Sequence, residues 1–285
     1  MQYPASELVH IAAFSDAGQG GNPAGVWTGT QFPADEEMQR IAAEVGFSET
    51  AFAVPLDETH KLWRVRYFSP EAEVPFCGHA TIATTTGIAR RYGAGDYQFQ
   101  LNLTTIPVSA QPDESGNWQA TLLSPPTHSQ PVEQLLVDQA LQLFGYSRED
   151  LDQRIPPARI HGGADHLILT LKQRSQLAAM HYSQAEGGVL MRKNGWVTIL
   201  LVVAEDEQHF HTRNPFAYGG VYEDPATGAA SAAFAGYLRD IGWPHHGEIE
   251  IIQGEDMGMR SRIIAKITDE PGSPIAVSGQ ARLME

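Results

Sequence analysis

The spacing of apolar and polar residues divides the chain into short segments of two kinds. Alternation with a period of two predicts strands, and apolar residues on one helical face predict helices. In the first half, strands are predicted at Leu8–Phe14, Phe47–Val54, Tyr97–Val108 and Trp118–Leu123. A helix begins at Pro33 and Asp35, carries Met38, Ile41, Ala42 and Val45 on one face, and ends at Gly46.

The second half shows a similar mixture of elements. A helix is predicted at Glu133–Phe144, where Gly145 ends it, and a short helix at Ser175–His181. Strands are predicted near Ala158–His161, His166–Leu171, Gly195–Ala204, Glu248–Gln253, Ser261–Thr268 and Ile275–Leu283. Many strands for each helix favour an α+β fold.

Two helical stretches lack charge on every face. Between Glu73 and Arg90 there is no Asp, Glu, Lys or Arg. The stretch between Asp224 and Arg239 follows the same plan, and alignment of Gly78 with Gly228 shows a repeat with an offset of 150 residues. Because uncharged helices are normally buried, the repeat predicts two similar lobes, each a curved sheet around a central helix. We expect both helix starts to face one cleft.

The proline-rich segment at residues 124–131 is the best candidate for a linker. It places the N-terminal lobe at residues 1–125, together with the C-terminal strand at 274–285, and the C-terminal lobe at 126–273.

Composition excludes several classes of protein. The chain has 285 residues, 34 acidic and 19 basic, for a net charge of −15, and it has no basic run that would hold a nucleic acid. The uncharged stretches are too short to span a membrane, the N-terminus lacks signal-peptide features, and one cysteine allows no internal disulfide. These features predict a cytoplasmic protein.

The glycine-rich segment Gly18–Gly25 is interpreted as a loop and does not match a dinucleotide fingerprint. Pro23 stands where the third glycine would be, and no helix follows. No cofactor is predicted.

Glu49 is the first candidate for chemistry, because it lies inside an otherwise apolar, strand-like segment between Ser48 and Thr50. A carboxylate in such a segment either faces solvent or is kept for a function. Arg64 or Arg66 on the next strand is expected to pair with an acid.

The order of several short motifs resembles the PhzF-like, or phenazine biosynthesis-like, isomerases, which share the diaminopimelate epimerase fold. The motifs are Asn22-Pro23-Ala24-Gly25-Val26, Ser48-Glu49-Thr50-Ala51-Phe52, Arg66 to Thr81, and Glu223-Asp224-Pro225-Ala226-Thr227-Gly228. The resemblance covers essentially the whole chain. It implies two pseudo-symmetric lobes, each a curled, mostly antiparallel, barrel-like sheet around a central helix, with the active site between them. It also implies a homodimer.

The resemblance further implies a cofactor-independent isomerisation of a small cyclic or amino-acid-like acid. Glu49 is then the general acid and base, with His79 and Asp224 beside it. Ser48, Cys77, Gly78, Thr227, Gly228 and Ala229 are the implied substrate-binding residues, and helix-start amides would hold a carboxylate or a developing negative charge. No metal site is implied.

Two departures from related enzymes limit the reaction. Epimerases of this fold use two cysteines, and this chain has only Cys77, so a two-cysteine racemisation is excluded. The phenazine isomerases carry a serine where this chain has Ala229, and Ser231 lies on a different face of the helix. The phenazine precursor is therefore not expected to be a good substrate.

Two alternatives remain at this stage. One is a binding protein that kept the fold without the chemistry. The other is a metal-dependent hydrolase built on histidines such as His209 and His211, which share a strand face but lack an accompanying carboxylate motif.

Overall fold

The computed structural model describes residues 6–284 and divides into two compact units. The first comprises the described residues up to Leu123 and those from Ser278 onward, and the second spans Ser124–Val277. No helix in the described part of the chain is long and apolar enough to cross a membrane.

The first unit is a barrel-like sheet around one helix. Its elements are β1 Ser6–Ser15, β2 Asn22–Gly29, α1 Asp35–Val45, β3 Thr50–Pro55, β4 Leu62–Phe68, β5 Glu73–Val74, α2 Gly78–Tyr92, β6 Gly95–Gln100, β7 Thr105–Pro112, β8 Trp118–Leu123 and, from the end of the chain, β16 Ala276–Leu283. Neighbouring strands follow the order β1, β2, β3, β4, β6, β7, β8 and β16, and β16 pairs back with β1, which closes the sheet.

The second unit has seven strands. Its elements are β9 His128–Pro131, α3 Gln134–Phe144, β10 Ala158–His161, β11 Asp165–Thr170, α4 Arg174–Ala178, α5 Gln184–Asn194, β12 Thr198–Ala204, β13 His209–Arg213, α6 Gly228–Asp240, β14 Glu248–Gln253 and β15 Ser261–Lys266. The strands are ordered from β9 to β15 along the sheet. The outer face of this sheet packs against α3 and α5 through a large apolar cluster that includes Leu141, Leu169, Met191 and Leu201.

The two uncharged stretches form buried helices, as predicted. Most residues of α2 and α6 are buried, including the polar Thr84 and Thr85. Helix α2 contacts β1, β2, β3, β7 and β8, while α6 contacts β9, β10, β11 and β15. The predicted α+β class, with a curled sheet around a central helix, is confirmed.

The repeat extends to hydrogen bonds at the helix starts. The Thr81 hydroxyl donates to the Cys77 carbonyl over 2.7 Å, and the Ser231 hydroxyl donates to the Thr227 carbonyl over 3.0 Å. Both pairs are related by the offset of 150 residues, so the two helices begin in the same local way.

Helices α1 and α3 agree with the patterns that predict them. Each ends at a glycine in the left-handed conformation, Gly46 with φ 71° and Gly145 with φ 70°. Such a φ is favourable for glycine and strained for other residues, which explains why both helices stop there.

Several predicted boundaries are wrong. The segment Gly18–Gly25 is a loop only in its first part, because β2 already begins at Asn22. Strand β3 begins at Thr50, so Glu49 precedes the strand and does not lie within it. The predicted strand Tyr97–Val108 is two strands, since a turn in which the Leu101 amide donates to the Thr104 carbonyl separates β6 from β7.

Helix α5 is absent from the sequence prediction because Gly187 and Gly188 disfavour a helix. Packing in the folded protein explains why a glycine stands at position 187. A Cβ atom on Gly187 would lie 2.6 Å from the Tyr182 ring, so only glycine fits at this contact.

Candidate active site

Strand β2 fixes the position of Glu49. The Gly25 amide donates to the Glu49 carbonyl over 3.2 Å, and Gly25 lies opposite Thr50 in the parallel pairing of β2 with β3. A Cβ atom on Gly25 would lie 2.7 Å from Thr50 Oγ1. The glycine therefore permits the close approach of the two strands that holds the Glu49 backbone.

A buried chain of hydroxyl groups fixes the start of α2. Tyr67 on β4 contacts Thr81 Oγ1 at 2.6 Å, and the Thr81 hydroxyl in turn donates to the Cys77 carbonyl. The Thr81 hydroxyl has one proton and donates it to that carbonyl. The Tyr67 hydroxyl is therefore the donor to Thr81. Burial raises the pKa of Tyr67 well above its usual range, which keeps the phenol protonated for this role.

Three chemically active side chains converge in front of α2. Glu49, Cys77 and His79 are 8%, 9% and 4% exposed, so all three are buried without being sealed from solvent. His79 Nε2 lies 3.4 Å from Glu49 Oε2 and 3.4 Å from Ser48 Oγ. Cys77 Sγ lies 3.3 Å from His79 Nδ1. The structure thus brings together Ser48, Glu49, Cys77, Gly78 and His79.

The imidazole of His79 has a different neighbour on each nitrogen. Nε2 lies between the Glu49 carboxylate and the Ser48 hydroxyl, and Nδ1 faces the Cys77 thiol, so the ring tautomer decides which of these groups donates. This arrangement orients the His79 ring between a carboxylate and a thiol.

The first turn of α2 offers backbone donors to a ligand. Cys77 at the N-cap is extended and makes no capping hydrogen bond through its side chain. Amides in the first turn of a helix have no partner within the helix, and the helix dipole favours negative charge there. The Gly78 and His79 amides belong to this turn, and the His79 side chain lies beside Glu49.

The start of α6 carries a second polar network. Thr227 Oγ1 donates to Asp224 Oδ2 over 2.5 Å, and Gln253 Nε2 donates to the Asp224 carbonyl over 2.6 Å. The Thr227 amide donates to Gln253 Oε1 over 3.2 Å. The Thr227 amide, predicted to bind substrate, is therefore already engaged by protein, whereas Gly228 and Ala229 are the first two residues of α6 itself.

Gln253 was not predicted as part of a polar network. It ends β14 and is fully buried beside the start of α6. Its sequence context, an amide at the end of an isoleucine-rich strand, was the only available signal. The roles of Tyr67 and Thr81 were also missed, because they depend on contacts that form only in the folded protein.

Ser231 does not replace the hydroxyl that Ala229 lacks. It is buried, and its hydroxyl donates back to the Thr227 carbonyl. The prediction that Ser231 occupies a different face of the helix is confirmed.

The histidines behind the hydrolase alternative have other contacts. His209 Nδ1 lies 2.9 Å from Asp206 Oδ2 on an exposed part of the surface, and His211 Nε2 lies 3.2 Å from Glu205 Oε2. Among the described residues, these two histidines belong to no group of three potential metal ligands.

Comparison with known proteins shows which proteins are similar to this chain. The phenazine biosynthesis-like protein family matches residues 11–285. The uncharacterized isomerase YddE of Salmonella typhimurium is 26% identical over 98% of this chain and 96% of its own. An uncharacterized isomerase of Mesorhizobium japonicum is 28% identical over 82% of each chain.

Solved structures share the fold. A phenazine biosynthesis protein of the PhzF family from Bacillus anthracis has a TM-score of 0.86 at 23% identity and covers 100% of this chain and 98% of its own. A hydroxyproline epimerase from Agrobacterium vitis, solved with bound trans-4-hydroxy-L-proline, has a TM-score of 0.66 at 10% identity and covers 100% and 91%.

The names of the relatives support an isomerase-type function. The resemblance seen in the sequence motifs is confirmed over nearly the full length. This chain belongs to the phenazine biosynthesis-like protein family.

Proposed function

We propose that the protein is a cofactor-independent isomerase that moves a proton between carbon atoms of a small carboxylic acid, with Glu49 as the general acid and base. The observation that carries this proposal is the buried Glu49 carboxylate beside His79 at the start of α2. The substrate class is a small cyclic or amino-acid-like acid.

Glu49 has the freedom that proton transfer requires. Its contact with His79 Nε2 is 3.4 Å, longer than the roughly 2.7–2.9 Å of a strong charge-assisted hydrogen bond. The carboxylate is therefore held near the imidazole without being locked in a tight ion pair. A group in this state can take a proton from one carbon and return it to another.

The first turn of α2 supplies the electrostatic part of the reaction. Removing a proton next to a carboxylate or carbonyl creates negative charge on oxygen. Amides of Gly78 and His79, together with the helix dipole, stabilise such charge where it develops. Binding of the substrate carboxylate at the same turn would place its neighbouring carbon next to Glu49.

His79 and Asp224 have orienting roles in this proposal. The His79 ring lies between Glu49 and Cys77, and Asp224 is held by Thr227. An imidazole beside the base can also pass a proton to or from it.

Incorporation of solvent deuterium tests the reaction. The protein is incubated in D2O with a panel of small cyclic acids and amino acids that contain a carbon–carbon double bond, so that a proton can move from one carbon to another, and carbon-bound deuterium is measured by mass spectrometry. Calorimetric titration of each compound gives the matching affinity.

Glu49→Gln keeps the shape and an amide but cannot transfer a proton. We expect binding to be nearly unchanged and exchange to fall by about 10²–10⁴-fold. His79→Asn and Asp224→Asn should give smaller losses. Exchange that persists in Glu49→Gln would assign the base to His79, whereas binding without exchange in every form, wild type included, would support a binding protein of this fold.

We also infer a homodimer from the family resemblance. Light scattering coupled to gel filtration measures the mass directly, and a monomer mass at micromolar protein concentration contradicts the inference.

A further inference from the structure

The cluster in front of α2 contains the three kinds of ligand that zinc prefers. Glu49, Cys77 and His79 offer a carboxylate oxygen, a sulfur and an imidazole nitrogen, and these atoms all lie within 4.8 Å of one another. Zinc in proteins is bound by these ligand types, and a site with three protein ligands leaves a fourth position for water.

The distances within the cluster approach those of a tetrahedral site. Bond lengths to zinc of about 2.0–2.3 Å require ligand atoms separated by roughly 3.4 Å for nitrogen and oxygen and roughly 3.6 Å for nitrogen and sulfur. His79 Nε2 lies 3.4 Å from Glu49 Oε2 and 4.0 Å from Cys77 Sγ. Because Cys77 Sγ lies nearer to Nδ1, at 3.3 Å, than to Nε2, the His79 ring has to turn before one of its nitrogens faces both Glu49 and Cys77.

The charges of the ligands also suit a divalent cation. A thiol that coordinates zinc loses its proton, which passes to solvent, so the site would supply a thiolate and a carboxylate. These two negative charges neutralise the ion, which offsets the cost of burying it. No lysine or arginine makes a described hydrogen bond or ion pair with Glu49 or His79 that would compete with the ion.

We propose that Glu49, Cys77 and His79 bind a thiophilic divalent cation such as Zn²⁺, and that the bound ion inhibits the protein by withholding the Glu49 carboxylate. The binding site stands on the geometry alone. The inhibitory effect rests on the proposed role of Glu49 in proton transfer.

A second group of potential ligands serves as a control. His128, His161 and Asp165 also lie within 4.8 Å of one another. Their arrangement is less suitable, because the two imidazole rings stack with centroids 4.4 Å apart and Arg159 donates to Asp165 over 2.5 Å. Stacked rings do not direct their nitrogen lone pairs to one point, and the guanidinium repels a cation.

Cobalt spectroscopy tests binding at the cluster. Co²⁺ is titrated into the purified, metal-free protein under reducing conditions. Because the chain has one cysteine, a thiolate-to-cobalt charge-transfer band in the near ultraviolet identifies Cys77 as a ligand. We expect this band, together with visible bands of tetrahedral cobalt, and their loss when Zn²⁺ is added.

Variants separate this site from adventitious binding. Cys77→Ser should abolish the charge-transfer band and weaken Zn²⁺ binding by at least about 100-fold, since even outer partners of zinc ligands contribute about 10–100-fold. His161→Asn should leave the band unchanged. Absence of the band in wild-type protein, or its survival in Cys77→Ser, would overturn the proposal.

Deuterium exchange then tests inhibition. Exchange should decline with Zn²⁺ at the concentration that displaces Co²⁺ and should recover on addition of EDTA. If the charge-transfer band forms but Zn²⁺ does not affect deuterium exchange, the metal site is supported and the proposed inhibition is overturned. If the band forms but the protein catalyses no deuterium exchange under any condition, the metal site is supported and the proposed isomerase function is contradicted.

Discussion

Arg213 and Glu223 form a bidentate ion pair that is almost completely buried. Nε of Arg213 donates to Oε1 of Glu223 over 2.9 Å, and Nη2 donates to Oε2 over 2.5 Å. Nη1 donates to the Ala178 carbonyl over 2.9 Å. The pair joins the end of β13 to the residue before Asp224, so it positions the segment that leads into α6.

Glu223→Gln should be strongly destabilising, because it leaves the Arg213 charge buried without its partner. Loss of one member of a buried pair typically costs about 3–5 kcal/mol. Urea unfolding followed by circular dichroism measures the loss.

The first unit provides a more exposed ion pair for comparison. Arg66 donates to Glu73 in the same bidentate way, over 2.8 Å and 2.7 Å, but these side chains are 18% and 27% exposed, against 9% and 2% for Arg213 and Glu223. Glu73→Gln should therefore have a smaller effect, because the site is more exposed and because Arg66 keeps its ion pair with Asp35 over 2.7 Å. Equal losses in the two variants would contradict the role of burial.

Gly25→Ala should reduce activity through the position of Glu49. The new Cβ would lie 2.7 Å from Thr50 Oγ1 and would separate β2 from β3 beside the Glu49 carbonyl. Overpacking costs about 1–3 kcal/mol, and a displacement of about 1 Å at a catalytic group can cost 10²-fold in rate. Unfolding and deuterium exchange measure the two effects.

The double variant Gly25→Ala with Thr50→Ala removes Oγ1 and Cγ2 of Thr50, the two atoms closest to the new Cβ. It should recover much of the lost stability and rate. A double variant that is no better than Gly25→Ala would show that another contact is responsible.

His166 should make the protein sensitive to acid. It is fully buried, with Nδ1 2.6 Å from Thr198 Oγ1, and burial lowers the pKa of His166 from 6.5 to about 3. Between these values the unfolded chain binds a proton at this residue that the folded chain does not. Stability therefore falls as the pH drops below about 6.5, with a limiting slope of about 1.4 kcal/mol per pH unit.

His166→Gln removes this titration and should flatten the dependence of unfolding free energy on pH between 6.5 and 4. His181→Gln, at an exposed histidine, should leave the dependence as in wild type. If His166→Gln proves too unstable to measure, the titration of the His166 ring resonances in the wild type can be followed by NMR. A His166 resonance that titrates near pH 6.5 in the folded protein would contradict the prediction.

Ala229→Ser should improve activity toward the phenazine precursor, for which the wild type should be a poor catalyst. The variant supplies the hydroxyl that phenazine isomerases carry at this position, and loss of a buried polar partner costs about 1–3 kcal/mol, or roughly five- to 150-fold. Steady-state rates for both forms test this. Efficient wild-type turnover of that compound would show that Ala229 is a neutral replacement.

The sequence predicted the features that depend on neighbouring residues alone, such as where a helix ends and whether it is buried. Gly46 and Gly145 end their helices, and the uncharged stretches after Cys77 and Thr227 become the central helices, because capping and burial are visible in composition. Arg66 pairs with an acid as expected. The offset of 150 residues between Gly78 and Gly228 also survives in the structure as two helices that begin alike.

Tertiary contacts determined what the sequence pattern missed. Helix α5 requires Gly187 to fit against Tyr182, a contact that no local rule contains. Glu49 was predicted within a strand but precedes it, because α1 ends only at Gly46 and β3 pairs from Thr50. Gln253 binds Asp224 and Thr227 from a strand far along the chain, so its role depends on sheet topology.

Closure of the first unit by β16 has a consequence for synthesis on the ribosome. Strand β1 is made first, yet its partner strand belongs to a segment that begins about 150 residues after Leu123. At about 5–20 residues per second, this segment emerges roughly 8–30 s later. During that interval the second unit can fold, while β1 and β8 each expose an unpaired edge. We therefore expect nascent chains that stop before Ser278 to be the form that aggregates and recruits chaperones.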